Sequence, residues 1–481
     1  MYLQRTEDWM ALENLSNARI AAEPRDADAW LGLSRSQLEQ RKLKPSLASY
    51  AHAVRLGGAT PTSFVALCMQ VNAFAEAEDA IRLAEQQNPD DPGLLRLQSG
   101  LLMYKGAYDE AEACCERLLA ANPKDCHGYR VLSQLKSGRL PDIQFKKLMA
   151  LSEDSSVPDA DRMLACYAAA DCLDASGEFD SAFQKYKEAN EITRRIAAER
   201  GIRYDRTLRE EQIEQLMAYA EVLSPPAAAL STAKLIFIVG MPRSGTTLVE
   251  SVLGAHSKVL PGGEYHAMRW IMEDVTKLAS AVGKSAPDAT QWLAWRELYI
   301  GGMPATASDQ IVTDKHPFNF DAVPVILCLF PNARIVHVRR NPLETCLSIY
   351  RNHFDSRHAF ASDLRDIGHH YGQYARLVDH WERLFPDRFS TVQYEQFVTQ
   401  FEKACPALVE SCGLEWEPQC LELHQSKRLI STLSTIQARK APSLNERVQS
   451  YHNHLAPLLD ALAMQNIDLA TRSVADLPGK R

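Results

Sequence analysis

The sequence predicts two architectures in one chain: an all-α helical repeat array over residues 1–200, then an α/β domain with a mostly parallel sheet over 234–481. Three observations predict it. Residues 1–200 carry almost no strand pattern and much Ala, Leu, Glu and Gln, which favour helix. Small and apolar residues recur there with a fixed period. From Lys234 onward, short β-branched runs alternate with helical stretches, and the first run opens into a glycine-bounded turn.

The period comes first in the chain. Ala77 precedes Pro89 in AFAEAEDAIRLAEQQNPDD as Ala111 precedes Pro123 in GAYDEAEACCERLLAANPKD, and the two prolines stand 34 residues apart. Trp30, Leu33, Tyr50 and Ala53 fit the same frame, as do Phe179, Ala182, Tyr186 and Ala189. This resembles the tetratricopeptide repeat, a helical hairpin of 34 residues. Small residues let paired helices approach, a proline ends the second helix, and stacking buries faces that one hairpin leaves open. About four units are recognisable, and the frame degrades over 125–158. A plain helical bundle is the alternative. Either way the array implies a binding surface or a homodimer interface, not chemistry.

Residues 201–233 form a linker. RYDRTLREEQIEQLMAYAEVL has helical character, and SPPAAALST breaks it, placing the domain boundary at 224–232.

Composition narrows the class. At 481 residues, two or three domains are expected. A net charge of −8 argues against nucleic acid or an acidic membrane as partner, though a local basic cluster can still hold an anion. The 11 cysteines are scattered and never spaced CxxC, which suits reduced thiols. MYLQRTEDWM carries no basic stretch followed by an apolar one, and no apolar run approaches the roughly 20 residues of a membrane span. The expected location is cytoplasmic.

In the α/β domain, strands are expected at 235–239, 310–313, 334–338 and 390–394, with a helix at 247–256. Between the first strand and that helix lies Gly240-Met241-Pro242-Arg243-Ser244-Gly245-Thr246-Thr247. Strand, turn and helix start make an anion site, because backbone N–H groups and the helix dipole converge there. The turn is close to the Walker pattern, but Thr246 stands where its lysine belongs. The cation is instead Arg243, whose planar fork suits one tetrahedral anion rather than a metal-bridged triphosphate.

PRSGTTL after a strand, followed by RIVHVRRNPLETCLSIY, resembles the sulfotransferases that use 3′-phosphoadenosine 5′-phosphosulfate. The intervening TDKHPFNFDAVPVILCLFPNARIVHV is similar to a segment of bacterial repeat-containing sulfotransferases, and the order of repeats then catalytic domain matches that group along nearly the whole chain. The catalytic domain also resembles the animal tyrosylprotein sulfotransferases. The resemblance implies a P-loop-like fold, that sulfate donor, no catalytic metal, and an acceptor hydroxyl, with a tyrosyl peptide held by the repeats as one candidate. It implies that Arg243, Ser244, Gly245, Thr246 and Thr247 hold the 5′-phosphosulfate and that Arg340 and Ser348 hold the 3′-phosphate. Glu264, in PGGEYH, matches the catalytic carboxylate. Lys315 matches the lysine that stabilises the group in flight, and Ser434 a serine completing that shell. Tyr394, Arg439 and Lys440 match further cofactor contacts. Arg339 is expected to point away from Arg340, because alternate side chains of a strand face opposite ways.

Other sulfotransferase classes use a histidine base, so His256, His266 and His316 rival Glu264. His256, at the end of the loop helix, is expected to cap carbonyls; His266 is the runner-up base. His369, His370, His452 and His454 lack HExxH-type spacing. His353, Phe354, His358 and Phe360 either line an aromatic acceptor site or pack on the sheet. The carboxyl-terminal QARKAPSLNERVQSYHNHL departs from the family pattern, with Val448 in place of a tryptophan. Two other readings stay open at this point: a small-molecule P-loop kinase, and a repeat scaffold with an inactive nucleotide-binding domain.

Overall fold

A computed structural model describes residues 8–224, 233–280, 286–303, 310–422, 444 and 446–469. The chain divides into two compact units, Met1–Gly128 with Ile300–Gly302, and Tyr129–Tyr299 with Met303–Arg481.

The first unit is helical. Its helices are Trp9–Ala22, Ala27–Glu39, Leu43–Arg55, Pro61–Gln70, Phe74–Gln87, Pro92–Lys105 and Tyr108–Ala121. Short turns join them, so consecutive helices run antiparallel. The local reasons are in the sequence: Asp26, Thr60 and Asp91 cap helix starts with their side chains, and Pro61 and Pro92 follow the last two caps. Pro89 and Pro123 lie just beyond helix ends, and Ala77 and Ala111 are fully buried.

The second unit joins the helices Asp142–Glu153, Asp159–Ser176, Phe179–Glu199 and Arg206–Ala220 to an α/β sheet. One apolar core runs from Tyr167, Phe183 and Tyr186 to Phe237, Phe320 and Trp381. The helices from Tyr129 onward and the sheet fall in one compact unit, within which the boundary stretch expected at 224–232 would lie. Most of that boundary stretch lies outside the described residues. Packing ties these helices to the sheet: Asn190, on the Phe179–Glu199 helix, donates to the carbonyl of Tyr350 at 2.9 Å and accepts from the Tyr167 hydroxyl at 2.9 Å, fully inside. Asn190→Ala would orphan both groups and is expected to lower the unfolding free energy by about 2–4 kcal/mol, as urea denaturation would show.

Among the described residues the sheet has five strands: β1 Leu235–Gly240, β2 Val259–Pro261, β3 Ile311–Asp314, β4 Arg334–Arg339 and β5 Phe389–Gln393. Their spatial order is β2-β3-β1-β4-β5 and every pairing is parallel. Alternate residues of β1 feed opposite faces. Leu235, Phe237 and Val239 enter the large core, whereas Ile236 and Ile238 enter a second one with Val249, Val252 and Leu408. A strand covered on both sides reads as an unbroken apolar run, which is why β1 was legible. No helix among the described residues is long and apolar enough to cross a membrane.

Candidate functional site

Parallel strands release their chains at one edge of the sheet, and ligands of such folds sit beyond it. Here every strand delivers one expected residue to that edge. β1 runs into the Gly240–Thr247 turn, β4 into Arg340, β5 into Tyr394 and β3 into Lys315; β2 leads through Gly262-Gly263 to Glu264.

The turn is built for a backbone close to its ligand. Gly245 precedes the Thr246–Gly254 helix with φ 103°, and a Cβ there would lie 2.3 Å from the Tyr394 ring. Arg243 takes φ 69°, a left-handed conformation that costs a non-glycine residue about 1–3 kcal/mol. Two contacts hold it so, and a third steadies Arg340. Its Nε donates to Ser348 Oγ at 3.2 Å, Arg340 Nη1 donates to its carbonyl at 3.0 Å, and the Arg340 guanidinium lies 4.9 Å over the Tyr394 ring. Arg243, Arg340, Ser348 and Tyr394 thus form one cluster around the start of the loop helix. Burial, then Arg340 and Arg351, pull the Arg243 guanidinium down to about 10. Cations crowded to that degree call for an anion. Ser244 adds a buried hydroxyl without a hydrogen-bond partner among the described residues, and Thr246 and Thr247 are buried beside it. A phosphate or phosphosulfate fits this set of donors.

The second element is positioned by its own helix start. Asn341 caps Pro342–Tyr350 by accepting from Leu343 and Glu344, with Pro342 at the first helical position. That fixes Arg340 at the helix entry and Ser348 two turns on. Arg339 points away, pairing with Asp379 at 2.6 Å and Glu382 at 3.6 Å, as the alternation of a strand requires.

On the other side of β1, Lys315 forms an ion pair with Glu264. The lysine side chain is 1% exposed and the carboxylate 29%, so the acid faces the open side. The ladder of β2 on β3 continues past β2 to make this pair. Gly262 N–H donates to the Thr313 carbonyl at 2.9 Å, and Lys315 N–H to the Gly263 carbonyl at 2.8 Å. Gly262 is required because a Cβ would lie 2.4 Å from that Thr313 oxygen.

The histidines separate. His256 is buried, accepts from Lys258 N–H and bonds the Glu415 carbonyl at 2.8 Å; the carbonyl belongs to a neighbouring segment, not to the loop helix. His266 and His316 meet edge to face at 6.3 Å near Glu264 and Lys315. Burial holds His266 below the ordinary imidazole range and His316 well below it. His358 stacks on Phe318 at 4.6 Å, while Phe354 and Phe360 pack into the core. His353 lies against Tyr167. His369 bonds Glu210, His452 the Gln449 carbonyl and His454 Asp180; Phe360 stacks on His370. Among the described residues, no group of three or more His, Cys, Asp or Glu could hold a metal ion. Ser434, Arg439 and Lys440 lie outside the described residues.

Sequence reasoning missed the supports of the site. Glu250 accepts from Gly263 N–H and Thr313 Oγ1; Glu344 accepts from the N–H groups of Arg447 and Val448, anchoring the returning chain; Glu395 accepts from Asn341 N–H. The available signal was a carboxylate in an otherwise apolar helix, TTLVESVLG.

Burial also sets a pH dependence. His316, His337 and His370 are all held well below the usual histidine range, burial being the largest cause. Below about pH 6.5 the unfolded chain protonates imidazoles that the fold keeps neutral, so these three lose stability on acidification. Asp314, raised to about 7 by burial, acts oppositely, since the fold binds its proton before the unfolded chain does. His337→Gln, in mid-strand, is expected to flatten the pH 6 to 5 slope of the unfolding free energy by up to about 1.4 kcal/mol per unit.

The comparisons with known proteins agree with this geometry. The model of the sulfotransferase family covers residues 236–418. An uncharacterized protein of Aquifex aeolicus (strain VF5) is 31% identical over 419 residues, 82% of this chain and 53% of that protein. Protein-tyrosine sulfotransferase A of Caenorhabditis elegans is 24% identical over 213 residues, 40% of this chain and 53% of that protein. The chain thus spans about half the length of each. The sulfotransferase domain from the Synechococcus PCC 7002 olefin synthase aligns with a TM-score of 0.40 at 20% identity, over 53% of this chain and 99% of that one. Residues 236–418 are thus the segment of this chain that is similar to the sulfotransferase family.

Proposed function

We propose that this chain transfers a sulfuryl group from 3′-phosphoadenosine 5′-phosphosulfate to an acceptor hydroxyl, with protein tyrosine as the first acceptor to try. The observation that carries the reading is the delivery of one candidate residue by each strand end. Arg243, Arg340, Ser348 and Tyr394 gather at the loop, and Glu264 and Lys315 pair across β1 from them.

In this reading Arg340 and Ser348 receive the 3′-phosphate, and Arg243, Ser244 and the N–H groups from Gly245 to Thr247 receive the 5′-phosphosulfate. Glu264 takes the proton of the acceptor hydroxyl. As the acceptor oxygen bonds to sulfur, the bond from sulfur to the 5′-phosphate oxygen breaks, and Arg243 and Lys315 balance the charge that collects there. Glu264 pairs with Lys315 before the donor arrives; on donor binding the lysine turns to the bridging oxygen. A free carboxylate is a weak base for a phenol, so the proton moves late, as sulfur–oxygen bond formation acidifies the hydroxyl. Ser434 and Lys440 complete the donor shell on the family's pattern.

The tyrosine acceptor is supported by the relatives named protein-tyrosine sulfotransferases. We read the helix pairs of residues 1–200 as tetratricopeptide repeats that bind the acceptor protein or a second copy of the chain. The location proposed is the cytoplasm.

The test joins calorimetry with 3′,5′-bisphosphoadenosine to transfer of labelled sulfate onto tyrosyl peptides, sugars and lipids, with and without Mg²⁺. Binding plus transfer that ignores the metal is expected. Absence of nucleotide binding overturns the reading, and Mg-dependent transfer from ATP replaces it with a kinase.

A further inference from the structure

We propose that Glu250 is a positioning residue: it ties the turn bearing Glu264, and the strand bearing Lys315, to the helix of the phosphate loop, so that filling the loop sets the base. The proposal rests on the sulfotransferase reading of the site.

Glu250 sits in the middle of the Thr246–Gly254 helix and is 3% exposed. Its neighbours Val249, Val252 and Leu253 are buried in the apolar core. A carboxylate there costs several kcal/mol unless its lone pairs are used, and an apolar side chain would avoid that cost. The lone pairs are used on two segments only a step from the chemistry. Oε1 accepts from Gly263 N–H at 3.1 Å, the residue before Glu264, and from Thr313 Oγ1 at 3.0 Å, two residues before Lys315. Those segments are also tied to each other, through Gly262 N–H to the Thr313 carbonyl and Lys315 N–H to the Gly263 carbonyl. The result is a three-way junction. Its third arm is the helix whose first turn, residues 246 and 247, faces the anion. An anion that fixes the helix start therefore fixes Glu250, and through it the backbone at Gly263. The geometry of the Glu264 side chain follows, and a displacement of about 1 Å at a reacting group can cost about 100-fold in rate.

Hydrogen exchange on the full chain, with and without 3′,5′-bisphosphoadenosine, separates the possibilities. In the wild type the nucleotide is expected to slow exchange in two peptides, one over residues 241–248 and one over 259–264. In Glu250→Ala the first slows and the second no longer responds. Glu250→Gln, which keeps a carbonyl oxygen for Gly263 N–H, restores part of the response; Thr313→Val, which removes only the hydroxyl donor, weakens it. Transfer assays on the same variants are expected to show kcat reduced about 10- to 100-fold with the donor KM unchanged. Equal protection of both peptides in Glu250→Ala overturns the coupling while leaving the donor site standing. Faster exchange spread over the whole sheet in all three variants overturns it too, because Glu250 then serves general stability. A wild type protected in neither peptide removes the nucleotide site, and the coupling with it.

Discussion

Glu264→Gln is expected to abolish transfer, with a loss of about 10²–10⁴-fold, the usual worth of a positioned general base, while affinity for 3′,5′-bisphosphoadenosine is retained. The amide keeps the shape of the side chain and a hydrogen bond to Lys315, but it cannot take a proton. Nucleotide affinity survives because the phosphate contacts lie at the ends of β1, β4 and β5, and Glu264 follows β2. The variant also leaves the Lys315 ammonium, 1% exposed, without a counter-charge. A buried charge that loses its partner costs about 3–5 kcal/mol, so the empty variant is expected to melt earlier than the wild type. A bound sulfated donor would supply the missing anion, and its thermal shift is therefore expected to be larger in Glu264→Gln than in the parent. Full transfer by Glu264→Gln, with loss in His266→Asn instead, would move the base to the imidazole.

The division between what the sequence revealed and what it hid follows from how each feature is encoded. β1 was legible because a strand buried on both faces is an unbroken apolar run bounded by turns, and β3, β4 and β5 because short β-branched runs alternate there with helical stretches. β2 was not: three residues ending in Pro261 carry too little pattern to separate a strand from a loop, yet this strand delivers Glu264. Arg243, Arg340 and Ser348 were legible through resemblance, and their mutual contacts across about a hundred residues of chain were not. The helical half shows another limit. Phe179, Ala182, Tyr186 and Ala189 continue a repeat frame, but small and aromatic residues at helical spacing specify only that a face is covered. The same helix pairs with the Asp159–Ser176 helix, where Tyr186 bonds Asp171, and also meets the α/β core, with Phe183 stacked on Tyr350 at 5.6 Å and Asn190 bonded to the Tyr350 carbonyl. Likewise a glutamate within TTLVESVLG signals a buried charge, while its partners, Gly263 and Thr313, are set by the fold alone.

Arg340→Ala is expected to erase the preference for a nucleotide that carries a 3′-phosphate. In the wild type, 3′,5′-bisphosphoadenosine should bind far more tightly than 5′-adenosine monophosphate. A lost charge-assisted hydrogen bond is worth about 1.5–3 kcal/mol, so the variant should bind the bisphosphate about 10- to 100-fold more weakly and the monophosphate little changed. The small loss on the monophosphate comes from the other duty of Arg340, which is to hold the Arg243 carbonyl in its left-handed turn. Arg340→Lys should recover only part of the preference, since an ammonium keeps the charge but loses the fork and the flat face that lies over Tyr394. Arg243→Ala provides the opposite pattern: both nucleotides carry the 5′-phosphate that it meets, so both should weaken together. Calorimetry of both nucleotides with the wild type and each variant decides the matter. Equal losses for both nucleotides in Arg340→Ala would place this arginine on the 5′ side, and undiminished binding of both would remove it from the donor site.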